Sequence, residues 1–179
     1  KMIIIIFFCT RKDEFDEPMD GLVYGTAASL GFAAYENINY VLYFYNEPSF
    51  EIATIRAYTA VPMHALCGIM MGFLITQSIF EKKHNYLNLV LALLIPVGIH
   101  GLYNFSLSSS TISKEIAYLI LLIFSVRAYI LFKNLKKKQN QSKNLNKKYF
   151  TITLSNFTNA ATTVLLIMLG LNYLISITL

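Results

Sequence analysis

Long apolar runs separated by short polar breaks organise this chain. The runs cover 2–9, 21–45, 55–80, 86–105, 116–132 and 160–179. Each of the last five is close to the ~20 residues that a helix needs to cross a bilayer core. The first is too short to span, and it lacks the basic start and cleavage site of a signal peptide. It reads as the end of a helix whose front lies before Lys1, so the sequence is expected to be a fragment. The pattern predicts an all-α polytopic membrane protein with five full transmembrane helices plus the end of a truncated one.

The breaks carry the charge. Residues 10–20 hold Arg11, Lys12 and five carboxylates, with Asp20 expected to cap the helix that follows. Pro48 punctuates a second break at 46–51. Residues 81–85 and 106–115 form two more breaks, and 133–150 contains seven lysines. Arg127 lies near enough to the end of its run to snorkel. Lys and Arg gather in 10–20, 81–85 and 133–150, while 46–56 and 106–115 hold one each. The first set is therefore expected to be cytoplasmic, with the C-terminus outside. The lysine-rich stretch reads as a solvated loop, with contact to anionic lipid as the sharper alternative.

Composition agrees with the pattern. The chain is 55% hydrophobic and only 14% charged, with a mean hydropathy of +0.51. A soluble domain has about 25% charge. Lipid is the expected surroundings, and no nucleic-acid partner is expected. Cys9 and Cys67 both sit in apolar runs without CxxC spacing, so they read as small buried hydrophobes.

Polar residues inside the runs alter this picture. Glu36, Asn37 and Asn39 interrupt run 21–45, His64 lies in 55–80, and His100 and Asn104 lie in 86–105. A charge at membrane depth costs roughly 2.5–3.5 kcal/mol on insertion scales, so Glu36 should face other helices. Two small-residue faces at four-residue spacing are available for close packing: Gly21, Gly25 and Ser29 on one helix, Gly68 and Gly72 below His64 on the next. At 1.5 Å per residue, Glu36 and His64 each lie ~15 Å from one end of their helices and His100 ~10 Å from the same side. Asn104 is one turn further out, on the face of His100. The pattern thus expects a carboxylate, two imidazoles and a carboxamide in one layer of the outer half of the membrane.

Each of these residues alone is more often a hydrogen-bonded structural group than a catalyst. Together they support limited chemistry. His and Glu can hold a water and take its proton, and His and Asn can donate to an oxyanion. Two His and a Glu, here His64, His100 and Glu36, could instead hold zinc with an open fourth position. A proton or ion path through the same groups is a third reading.

Three motifs carry a resemblance: FxxxEN at Phe32, Glu36 and Asn37; HAxxG at His64, Ala65 and Gly68; and HxxxN at His100 and Asn104. In this order and spacing they resemble the PrsW family of bacterial intramembrane proteases, within the superfamily of type II CAAX prenyl endopeptidases. The resemblance covers about 1–105, making 1–107 a partial protease core and 108–179 additional membrane helices. The family's first motif, EExxK, would place its lysine at Lys1 and its two glutamates upstream. The resemblance implies that those glutamates and His64 hold and deprotonate the water, and that His100 and Asn104 polarise the scissile carbonyl. Glu36 would orient or charge-balance a histidine, supported by Asn37. It favours a glutamate-type protease without a metal, acting on a single-pass membrane protein such as an anti-sigma factor at the outer face of a bacterial cell membrane. Lacking the first motif, residues 1–179 are expected to be inactive. A non-catalytic scaffold of the same fold is the alternative, as is a transporter.

Overall fold

The computed structural model describes residues 1–42, 50–81, 85–111, 113–141, 155–156, 158–163 and 166–167. Every regular element among them is helical. A single α-helical turn, Met2–Ile4, runs into a π-helical turn, Ile5–Cys9; together they form α1. The others are α2 Pro18–Leu42, α3 Phe50–Tyr58, α4 Ala60–Phe80, α5 Asn85–Ser108 and α6 Glu115–Gln141.

Three stretches are long and apolar enough to cross a membrane: Phe50–Phe80, Asn85–Ser108 and Glu115–Lys137. The chain is a multi-pass membrane protein. Five full spans were expected. The first of them, α2, has 25 residues but is not among the three. Glu36, Asn37 and Asn39 lower its hydropathy although its length suffices. Most of the last expected span, 160–179, lies outside the described residues, as do 46–49, 82–84 and 142–150 of the expected loops.

Several boundaries differ from the sequence pattern for physical reasons. Helix α2 starts at Pro18, a first-turn position where proline's missing N–H costs nothing. Asp20 is therefore not the cap. It sits in the first turn and reaches back, its Oδ2 accepting from the Glu17 N–H at 2.7 Å and the Asp16 N–H at 3.1 Å. The run 55–80 is two helices, not one. In a continuous helix the ring of Pro62 would meet the carbonyl of Tyr58, so α3 ends at Tyr58. Thr59 leaves helical geometry at φ −122°, ψ −68°. Residues 50–56, expected in a break, belong to α3. At the other end, α6 continues to Gln141, so the first part of the lysine-rich stretch is helical.

Helix α4 is the centre. Most of it is buried, and its most extensive contact is with α2, followed by α5. The α2–α4 contact is the pairing of small faces expected from the spacing. A Cβ on Gly68 would stand 2.7 Å from the Ser29 Cβ and closer still to the Gly25 carbonyl. A Cβ on Gly25 would stand 3.0 Å from the Gly72 Cα. Only glycine lets the two backbones approach this closely. Two apolar clusters flank the middle of the bundle. Met2, Ile5, Ile6 and Phe15 pack on Met71, Ile75, Ile79 and Leu89 at one end. Met63, Cys67, Ile99, Tyr103 and Ala117 pack at the other.

Candidate active site

His64 lies in the first half of α4, just above the glycine contact. It is 1% exposed. Its backbone carbonyl accepts from Ser29 Oγ at 2.6 Å, which ties its position to the small face of α2. Two turns further along α2, Glu36 reaches its ring: Glu36 Oε2 is 2.9 Å from His64 Nε2. The other ring nitrogen, Nδ1, is 2.9 Å from Lys1 Nζ. The Lys1 ammonium also lies over the Phe32 ring, 4.6 Å from its centroid, and Phe32 meets His64 edge-on at 5.7 Å.

His100 comes from α5. Its ring lies 4.9 Å from that of His64, tilted by 35°. Asn104, one turn on, places Nδ2 3.3 Å from His100 Nδ1. Of the residues singled out in the sequence, Glu36, His64, His100, Phe32 and Lys1 therefore converge directly, and Asn104 joins through His100. Asn37 touches neither histidine; it accepts a hydrogen bond from Arg56. Gly68 acts one turn away, through the backbone contact that sets the helix spacing.

Arg56 was counted in the sequence only as a break charge, and the structure brings it into the cluster. Its Nη2 is 2.7 Å from Glu36 Oε2, the oxygen that also meets His64. Its Nε is 2.7 Å from Asn37 Oδ1, and its guanidinium lies 3.8 Å from the centroid of the Tyr40 ring. The signal that could have found it was the demand of a membrane-depth carboxylate for a counter-charge. Tyr103 was also missed. Its hydroxyl is buried and faces the Thr59 joint across a cavity wall that both line.

Glu36, His64 and His100 stand between two cavities. One, of about 490 Å³, is lined by polar groups that include Arg56, Tyr103 and Asn104. The other, of about 520 Å³, is largely apolar and includes Lys1, Phe32, Met71 and Pro96.

The donor atoms do not suit a metal ion as they stand. Both ring nitrogens of His64 are engaged, one by a carboxylate and one by an ammonium. Oε2 of Glu36 already meets Arg56 and His64. Among the described residues no cluster of three or more His, Cys, Asp or Glu is arranged to hold a metal.

Glu36, His64, His100 and Asn104 thus form one polar cluster that joins three apolar helices of a membrane protein. Sequence comparison makes the family specific. The family model described as PrsW family intramembrane metalloprotease matches residues 1–130, which reaches past the motifs into α6. The chain belongs to the PrsW family. It is 35% identical over 146 residues to Protease PrsW of Oceanobacillus iheyensis, covering 82% of this chain and 64% of that relative. It is 40% identical over 107 residues to Protease PrsW of Geobacillus kaustophilus, covering 60% and 46%. To Protease PrsW of Bacillus subtilis it is 37% identical over 121 residues, covering 67% and 53%. The chain thus spans between 46% and 64% of the length of these relatives. No solved structure matches it.

Proposed function

We propose that the protein carrying this chain is an intramembrane endopeptidase that hydrolyses a peptide bond of a membrane-anchored protein. The observation that carries the reading is His64, buried and held between Glu36 and Lys1 with its ring against His100. A buried imidazole at the wall shared by the two cavities does acid–base work on water beside a polypeptide once water takes the place of Lys1 on Nδ1.

The roles follow from the hydrogen bonds. An ammonium has no acceptor, so Lys1 donates and His64 Nδ1 accepts. The proton of neutral His64 then sits on Nε2 and is donated to Glu36. Asn104 Nδ2 donates to His100 Nδ1, which leaves the His100 proton on Nε2 as a donor for a substrate carbonyl. Asn104 and His100 both line the polar cavity, where a carbonyl oxygen gaining charge would be stabilised. In this reading the water is held by His64 together with the glutamate pair of the family's first motif. The catalytic class is a glutamate protease, and no step is routed through a metal.

The substrate is a single-pass membrane protein of the anti-sigma-factor kind, cut on its outer side. This orientation rests on the distribution of Lys and Arg, which puts 10–20, 81–85 and the lysine-rich stretch 133–150 in the cytoplasm and the C-terminus outside. The test is cleavage of a membrane-anchored reporter by the full gene product, beside its Glu36→Ala, His64→Ala and His100→Ala variants. Loss of cleavage in all three supports the reading; undiminished cleavage in all three refutes it.

A second reading, a non-catalytic membrane scaffold, draws on the same network. With both His64 nitrogens and the Glu36 Oε2 engaged, the cluster also meets every requirement of structural glue between α2, α3 and α4. That reading predicts no cleavage by the full gene product and loss of assembly in the same variants.

A further inference from the structure

Helix α3 buries no residue of its own. It nevertheless contributes Ile52, Ile55 and Arg56, with the Thr59 joint, to the wall of the polar cavity. Arg56 ties it to α2. The guanidinium offers one nitrogen to Asn37 and another to Glu36, both at 2.7 Å, and its flat face covers Tyr40. These three residues lie within a little over one turn of α2. Such a fork is something arginine can supply and lysine cannot, because an ammonium is a single point donor.

The fork has a consequence two bonds away. Arg56 Nη2 and His64 Nε2 meet the same oxygen, Glu36 Oε2. With the carboxylate pinned by Arg56, that oxygen faces the imidazole as an acceptor. The His64 proton then belongs on Nε2, and the lone pair on Nδ1 faces Lys1 at 2.9 Å. Without the fork, the Glu36 side chain has rotamers that turn its carboxylate away, the Nε2 proton loses its acceptor, and only Lys1 is left to hold the ring.

We propose that Arg56 is a positioning residue: its two-pronged hold on Asn37 and Glu36 keeps the carboxylate on His64 Nε2, and with Lys1 on Nδ1 this sets the orientation of the ring between the two cavities. Arg56 does not touch substrate in this role; it acts through Glu36. The effect on turnover rests on the endopeptidase reading above, whereas the orientation of the ring does not.

The experiment uses the full gene product in micelles, labelled with 15N at the histidine rings. The His64 signals are assigned by their disappearance in His64→Gln. The wild type should show His64 neutral with the proton on Nε2. Arg56→Gln and Arg56→Lys should both shift this Nε2–H signature as its carboxylate acceptor is withdrawn, the tautomer itself being kept by Lys1. Turnover of a membrane-anchored reporter should fall about 10–100-fold in both with KM nearly unchanged, as expected when a reacting group is misaligned by an ångström or so. Arg56→Lys keeps the positive charge, so it serves if Arg56→Gln fails to fold. A wild-type His64 protonated on Nδ1 overturns the proposal. So does a wild-type signature retained in either variant. If the wild type cleaves nothing, the endopeptidase reading fails while the spectra still decide the role of Arg56.

Discussion

Arg56 and Glu36 meet at 2.7 Å, joining a short helix that buries nothing to the helix that carries the carboxylate. The arginine side chain is 14% exposed and the glutamate 26%, so neither charge is fully solvated. Each is the other's reason for being tolerated at this depth. Replacing Glu36 by Gln leaves the guanidinium with Asn37 and Tyr40 but no counter-charge. The expected loss of stability is about 1.5–3 kcal/mol, the range for hydrogen bonds to charged groups. In Glu36→Gln/Arg56→Gln the cost should be smaller than the sum of the single changes, because the pair is lost only once. Denaturant titration of the four proteins in micelles measures this. Simple additivity would mean that the contact contributes nothing.

The contact between α2 and α4 leaves no room for side chains at Gly68. Gly68→Val should destabilise the bundle by about 1–3 kcal/mol, through overpacking against Ser29 and the Gly25 backbone. It should also disturb His64, one turn away, whose carbonyl is held by the same Ser29. Gly31, on the partner helix α2, has open space around its Cα, so Gly31→Ala should stay within about 0.5 kcal/mol of wild type. Thermal unfolding of the two variants side by side separates a packing effect from a general effect of losing glycine.

Pro62 ends α3 and so sets where Arg56 stands. Pro62→Ala removes the ring that would meet the Tyr58 carbonyl and permits one continuous helix through Thr59. Straightening would carry Arg56 away from Glu36 and Asn37. Turnover should fall about tenfold or more, while helicity by circular dichroism holds or rises. A Pro62→Ala protein with wild-type turnover would mean that the joint at Thr59 does not serve the site.

In the endopeptidase reading His100 and Asn104 are the donors on the α5 side. Removing either by alanine should lower turnover by about 10²–10³-fold, the usual cost of losing one oxyanion donor, with KM nearly unchanged. Asn104 is exposed and bonds His100 within its own helix, so Asn104→Ala should leave the unfolding midpoint where it is. Steady-state kinetics on a solubilised reporter checks both. A rise in KM at constant kcat would assign these residues to ground-state binding instead.

Much of this arrangement could be read from the sequence because it rests on period and depth. Four-residue spacing placed Gly21, Gly25 and Ser29 on one face, and they do pack against Gly68 and Gly72. Comparable distances from the helix ends put Glu36, His64 and His100 in one layer, and the carboxylate does meet the His64 ring and that ring the His100 ring. What the pattern missed depends on events that hydropathy does not register. Pro62 was visible, but apolar residues on both sides carried the run through it, so the joint at Thr59 went unread and α3 was absorbed into a break and a longer span. Arg56 was then counted as a loop charge, although the helix returns it to the carboxylate. Asp20 was assigned as a cap because it precedes an apolar run. Pro18 starts the helix two residues earlier and turns the same aspartate into a first-turn acceptor. The Tyr103 hydroxyl gave no sequence signal at all, since a tyrosine in an apolar run looks like packing.

Everything proposed for function passes through the His64 ring. The most direct measurement is the initial rate at which the purified full gene product cleaves a membrane-anchored reporter, compared between wild type and His64→Ala at equal folded concentration. The proposed chemistry predicts a loss of at least about 10²-fold, since the group is both oriented and buried for proton transfer. A His64→Ala protein that folds and cleaves at the wild-type rate would contradict it.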